Sequence, residues 1–166
     1  MSDKSQYCDE VCSERGVPEH LHAGNREPVH SFSPSELLYR RVKLEDVKTD
    51  PTAAISFSRM SVNRSSFCRA PEDVLINDEE GGFYSGYSIF ALPVEALATS
   101  WEHEAKDISF ISLNPEHIPK RCNYSHSEIV LSKTLESGEE IEVSKFKPKS
   151  LKLKMRDHLR PYFRET

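Results

Sequence analysis

No apolar run in this chain approaches the roughly 20 residues that a membrane-spanning helix needs, so an integral membrane role is not expected. The first residues, Met-Ser-Asp-Lys-Ser-Gln-Tyr-Cys-Asp-Glu, have neither the apolar core of a secretion signal nor the Arg-rich, acid-poor look of a transit peptide. Export is therefore not expected. Cysteine is scarce: Cys8, Cys12, Cys68 and Cys122 are too few and too scattered to read as a disulfide framework. Free thiols and a cytoplasmic location are the expectation that follows. No Gly-x-Gly-x-x-Gly or Walker pattern occurs, which excludes the common nucleotide-binding loops. A Gly-x-Ser-x-Gly elbow is missing too, so the usual Ser-His-Asp hydrolase has nothing to build on. Internal repeats and low-complexity tracts are absent.

What remains fits one ordinary domain of 166 residues, with 37% hydrophobic and 30% charged residues. The net charge of −5 is unevenly spread. From Lys145 to Thr166, eight basic residues face Asp157 and Glu165, so this segment carries +6 and the rest of the chain −11. Such asymmetry suits either an anionic partner or a basic segment docked on its own acidic body, and the second is favoured. Tyr162 and Phe163 beside the basic segment offer stacking surfaces for single-stranded nucleic acid, but the acidic remainder would repel phosphate chains. Nucleic acid is not expected as a partner; a protein partner remains open.

Residues 1–33 show no hydrophobic periodicity and are rich in Ser, Glu, His and Pro, which predicts a flexible tail. Residues 34–166 carry the core signals. Strands are expected in 36–44, in 54–58 where Ile55 and Phe57 alternate with serines, and in 87–92. Further strands are expected in 108–113, closed by Asn114-Pro115, in 128–132 and in 141–146. Short helices are expected at 70–76, with Pro71 at a first helical position, and at 93–98. Leu151, Met155 and Leu159, four apart, predict an amphipathic basic helix over about 150–160. The sum is an α+β domain with a roughly five-stranded, mostly antiparallel sheet and two or three short helices.

Two polar clusters stand out. Arg121-Cys-Asn-Tyr-Ser-His-Ser-Glu128 precedes a strand, where a rigid support can hold functional side chains. His126 is a candidate general acid or base there, because its ordinary pKa lies near neutrality. Ser61-Val-Asn-Arg-Ser-Ser-Phe67 offers Asn63 and Arg64 as ligands for a phosphate or carboxylate. Whether Arg64 and His126 converge is not legible. Cys8, Cys12, His20 and His22 are residue types that zinc accepts, but their spacing matches no common finger or ribbon, and no metal site is expected. Trp101-Glu-His-Glu104 reads as a solvated segment rather than a metal motif.

Ser61–Phe67, Pro71-Glu-Asp-Val-Leu75 and Asn123–Ile129, after a Leu-Tyr-Arg-Arg-Val opening, resemble an uncharacterised family of small bacterial proteins over roughly residues 36–132. That resemblance implies a bacterial source and points to no particular activity. A second resemblance is to ADP-ribosyltransferase-like domains, through Leu38-Tyr-Arg40, Ile55-Ser-Phe-Ser58 and His126-Ser-Glu128 in that order. It implies NAD as cofactor, Arg40 on the pyrophosphate, Ser56 as support, and His126 with Glu128 at the chemistry. Asn63, Arg64 and Asn123, from the two polar clusters, are the further substrate-binding candidates. The chain departs from that family in having His126-x-Glu128 for a glutamate pair and no Ser-Thr-Ser. The alternative expectation is a non-enzymatic protein-binding or immunity-type module.

Overall fold

Period-two alternation builds most of this molecule, and hydrogen-bonded pairing between distant segments assembles it. The computed structural model describes residues 10–56, 59–97, 101–102, 108–143 and 149–162. The strands are β1 (Leu37–Lys43), β2 (Met60–Arg64), β3 (Tyr87–Pro93) and β4 (Trp101–Glu102), then β5 (Ile108–His117), β6 (His126–Leu135), β7 (Glu140–Glu142) and β8 (Arg160–Tyr162). They form one sheet in the order β4-β5-β6-β2-β1-β3-β8, with β7 also paired to β6. All of these pairings are antiparallel. Three short helical segments, 10–14, Leu44–Thr49 and Lys149–Asp157, and several single 3-10 turns complete an α+β domain among the described residues. Among the described residues no helix is long and apolar enough to cross a membrane.

Cross-strand partners share a sheet face. One face carries Leu38, Met60, Val62, Leu92, Leu113, Ile129 and Leu131, which form the main core with Met155 of the C-terminal helix. Met155 is 2% exposed, so the basic helix docks by an apolar face on its own domain. Leu159 packs beside that core, while Leu153 points out. The opposite face carries Tyr39, Ile89 and Ala91, covered by Val74 from the 3-10 turn Pro71–Leu75.

Several expectations need correction. The predicted strand 54–58 is not one: Pro51–Ala54 forms a 3-10 turn, and Ile55 and Ser56 after it pair with no strand. Phe57 and Ser58 lie outside the described residues, and the strand proper starts at Met60. Pro115 does not close β5, which continues to His117. At that level β6 is the partner of β5 among the described residues, because β4 reaches only Phe110 and Ile111; a proline on an open edge loses no ladder bond. Pro161 sits in β8, another edge strand. Of the predicted strand 141–146, β7 covers Glu140–Glu142, and 144–148 lie outside the described residues.

The largest correction concerns residues 10–33, which form a strap against the sheet rather than a loose tail. Cys12, Val17 and Leu21 make a small core with Ile76 and Cys122. Cys12 and Cys122 form a disulfide, which overturns the expectation of free thiols at these two positions and removes the premise from which a cytoplasmic location was argued. The strap also presses on the 77–82 turn. A Cβ on Gly81, at φ +89, would meet the Arg15 carbonyl oxygen at 3.0 Å, so this turn requires glycine. Local periodicity missed the strap because its buried residues are sparse and their partners lie far along the chain.

Candidate functional site

The two polar clusters do meet, through pairing of β2 with β6. Asn63 lies opposite His126, Ser61 opposite Glu128, and Glu116 of β5 opposite Glu128 on the other side. Ser61, Asn63, His126, Glu128 and Glu116 therefore share one face. Arg64, one residue after Asn63, falls on the other face, so Arg64 and His126 do not converge.

His126 is 5% exposed and both ring nitrogens are engaged. Nδ1 lies 2.8 Å from the Ile118 carbonyl oxygen, and Nε2 lies 2.8 Å from the Ser61 hydroxyl. A carbonyl only accepts, so Nδ1 carries the proton of the neutral ring and Nε2 accepts from Ser61. Burial pushes the His126 pKa down, partly offset by the bond to Ile118 and the Glu128 charge, while the Lys120 charge adds to the lowering. Ser61 is exposed. An accessible hydroxyl thus donates to a buried, neutral imidazole whose far side is fixed.

Asn63 and Asn123 belong to the scaffold around this pair. Asn63 Oδ1 accepts from Asn123 Nδ2 at 2.8 Å and from the Ser125 hydroxyl at 3.2 Å. Asn123 Oδ1 lies nearer the same hydroxyl, at 2.6 Å, so the single Ser125 proton is shared between the two amide oxygens. Beside them, burial raises the Cys68 thiol to about 12, so it stays protonated and is no nucleophile at neutral pH.

Glu128 belongs to a charge cluster. Arg59 Nη1 donates to Glu128 at 3.1 Å, its Nε and Nη2 donate to Glu142 at 2.7 and 2.8 Å, and Glu116 lies 3.6 Å away. These carboxylates raise the Arg59 pKa, hydrogen bonds to Glu142 and Glu128 leading. Arg59 adopts φ +48, a left-handed conformation that a non-glycine residue rarely takes without support. The three glutamates supply that support at the place where β2 and β7 both adjoin β6.

The remaining candidates act on the fold. Arg40 lies on the main-core face and donates from Nε to the Ala54 carbonyl at 2.6 Å and from Nη1 to the Ser61 carbonyl at 2.8 Å. Burial, with the Arg41 charge second, lowers its pKa to about 10. Ser56 is half-buried and its N–H points at the Met60 sulfur, 3.4 Å away. Arg64 is enclosed: it donates to both Glu36 oxygens at 2.9 and 2.8 Å, to the Ser31 carbonyl at 2.7 Å and to the Val29 carbonyl. Phe32 stacks on it 3.8 Å from the ring centre. Of the zinc-type residues, Cys8 lies outside the described residues, and Cys12 has given its sulfur to the disulfide. His20 bonds Asp73 at 2.6 Å, and His22 bonds the Val17 carbonyl at 2.8 Å.

His117 is a second buried histidine. Its Nδ1 accepts from Val29 N–H at 2.8 Å, and its Nε2 donates to the Tyr124 carbonyl at 2.6 Å. Protonation would break the bond to Val29, and burial lowers this pKa too. Both histidines therefore bind protons less readily folded than unfolded. Their contribution is fully present above the ordinary value of 6.5 and is lost as pH falls through the depressed folded values. Urea midpoints should accordingly fall between pH 7.5 and pH 5, and His117→Gln should flatten that slope.

Compared with protein-family models, curated proteins and solved structures, the chain matches none of them. The site has to be read from its own geometry. That geometry defines a small α+β domain with a serine–histidine pair on the sheet face opposite the main core.

Proposed function

We propose that the chain is a serine-dependent acyl-transfer enzyme or hydrolase, with Ser61 as nucleophile and His126 as its general base. One observation carries this reading: the exposed Ser61 hydroxyl stands 2.8 Å from Nε2 of a neutral histidine whose Nδ1–H is held by the Ile118 carbonyl. A nucleophile, a base within hydrogen-bond reach and a group orienting the base are the parts covalent catalysis needs. In the step, Ser61 Oγ bonds to the acyl carbon, His126 takes the hydroxyl proton, and the leaving group departs with that proton. Water then releases the acyl group by the reverse proton path. The Ile118 carbonyl and the Glu128 charge favour the transient imidazolium.

A fluorophosphonate probe followed by intact-mass and peptide mapping tests this. Ser61 should take up the probe, Ser61→Ala should take up none there, and His126→Gln should slow it by at least about 100-fold. Labelling should rise with pH through a midpoint below 6.5, following the depressed His126. No adduct at Ser61, or an adduct indifferent to His126→Gln, would sink the assignment.

The NAD-using, ADP-ribosyltransferase-like reading draws on the same His126 and Glu128. It receives less support, since Arg40 spends two donors on backbone carbonyls and lies on the opposite face. Nicotinamide release from NAD, lost in Glu128→Gln, would restore it. A partner-binding reading is favoured by the C-terminal helix, which anchors through Met155 and leaves Leu153 and Arg156 exposed. Weakened capture of a partner on charge reversal at Lys152 and Lys154, with Ser61 unreactive, would favour that module.

A further inference from the structure

The β5–β6 loop, residues 118–125, builds one side of the Ser61–His126 site. Ile118 supplies the carbonyl that orients His126, while Asn123 and Ser125 fix Asn63, the cross-strand partner of His126. Cys122 stands between these anchors and is bonded to Cys12 of the strap. The strap holds the same loop by weaker ties: Ala23 N–H to the Arg121 carbonyl at 2.9 Å, Tyr124 N–H to the Leu21 carbonyl at 2.8 Å, and the Tyr124 hydroxyl to the Glu27 carbonyl at 2.6 Å. Strap and loop are thus one assembly with a single covalent tie among the described residues.

We propose that the Cys12–Cys122 disulfide is a redox switch for this site: when formed it holds the Ile118 carbonyl on His126, and when reduced it lets the loop move and the Ser61–His126 pairing weaken. The inference rests on the nucleophile–base reading and supplies its regulation. A dithiol is the reductant. Its thiolate attacks one sulfur, the Cys12–Cys122 bond breaks, and a mixed disulfide forms. The second dithiol sulfur then displaces the protein sulfur, so the dithiol leaves oxidised and Cys12 and Cys122 gain two electrons and two protons. Cys12 and Cys122 are 0% and 2% exposed, so attack requires local opening of the strap. An open groove of about 500 Å³, lined by Ser13, Val17, His22, Ala23, Asn25 and Arg26, runs along the strap.

The test follows the His126 ring by nitrogen-15 NMR and the rate of Ser61 labelling by the fluorophosphonate, in the full chain before and after dithiothreitol. Thiol counting verifies each state. In the oxidised protein a slowly exchanging Nδ1–H signal is expected. On reduction that signal should be lost and labelling slowed by at least about tenfold, as a shifted catalytic group demands, with far-UV circular dichroism unchanged. Cys12→Ser with Cys122→Ser should reproduce the reduced state without reductant. A signal that changes while Ser61 stays unlabelled in both states supports the coupling and overturns only the nucleophile assignment. An unchanged His126 signal overturns the switch. So does global unfolding on reduction, which would make the disulfide a staple of the whole fold.

Discussion

Arg64→Met should lower the thermal midpoint by on the order of 10 °C, the effect of losing about 3–5 kcal/mol in a chain of this size. Arg64 and Glu36 side chains are each 3% exposed and share a two-pronged bond. Removing the cation strands a carboxylate in the interior and frees the Val29 and Ser31 carbonyls, so the strap loses anchors as well as charge balance. Burial alone would raise the Glu36 pKa; the hydrogen bonds from Arg64 and Ser66, with the Arg64 charge, outweigh it and hold the pKa below 4.5. The pair's contribution is therefore complete above that value and is lost only as pH falls through the lower folded pKa. Adding Glu36→Leu to Arg64→Met should recover much of the loss, because the stranded charge and not the missing bond dominates. A single-variant loss under about 1 kcal/mol would mean that water reaches the pair, in the manner of a surface salt bridge.

The legibility of this molecule divides along sequence distance. β1 and β3 follow from local alternation, and the sequence places them within a residue or two; the four-residue spacing marks the Met155 face of the C-terminal helix, which stops at Asp157, three residues short of the expected end. Asn63, Asn123 and His126 stand out as polar clusters at strand edges, and they come together. Parity already carried more: Asn63 and Arg64 are consecutive in a strand, so only one of them can face His126. By the same parity Ser61 shares the side of Asn63. Its role was missed because nothing local says that β2 pairs with β6. The strap failed for a related reason. Cys12, Val17 and Leu21 are spaced too widely to show a period, and their partners Ile76 and Cys122 are supplied by the fold. Arg40 and Arg64 looked like ligands because arginine is the residue that binds phosphates. It is equally the residue that can cap several carbonyls at once, and both are used that way.

Cys12→Ser with Cys122→Ser should cost about 4–5 kcal/mol, the loop-closure value for a cross-link of this length, and the protein should still be folded at 25 °C. The bridge spans 110 residues, so its main effect is on the unfolded chain, which it confines. Releasing that constraint expands the unfolded ensemble and exposes more surface. The urea midpoint should therefore fall while the slope of the transition rises. Native packing answers a different question. Cys12 and Cys122 are buried beside Val17, Leu21 and Ile76, and two hydroxyls set there lose apolar contact. An alanine pair at the same positions separates the two contributions, because it removes the cross-link without burying new polar groups. A lower midpoint with a steeper slope in both variants places the effect in chain entropy. A loss in the serine pair alone, with the slope unchanged, places it in the small strap core and makes the covalent bond secondary to the contacts around it.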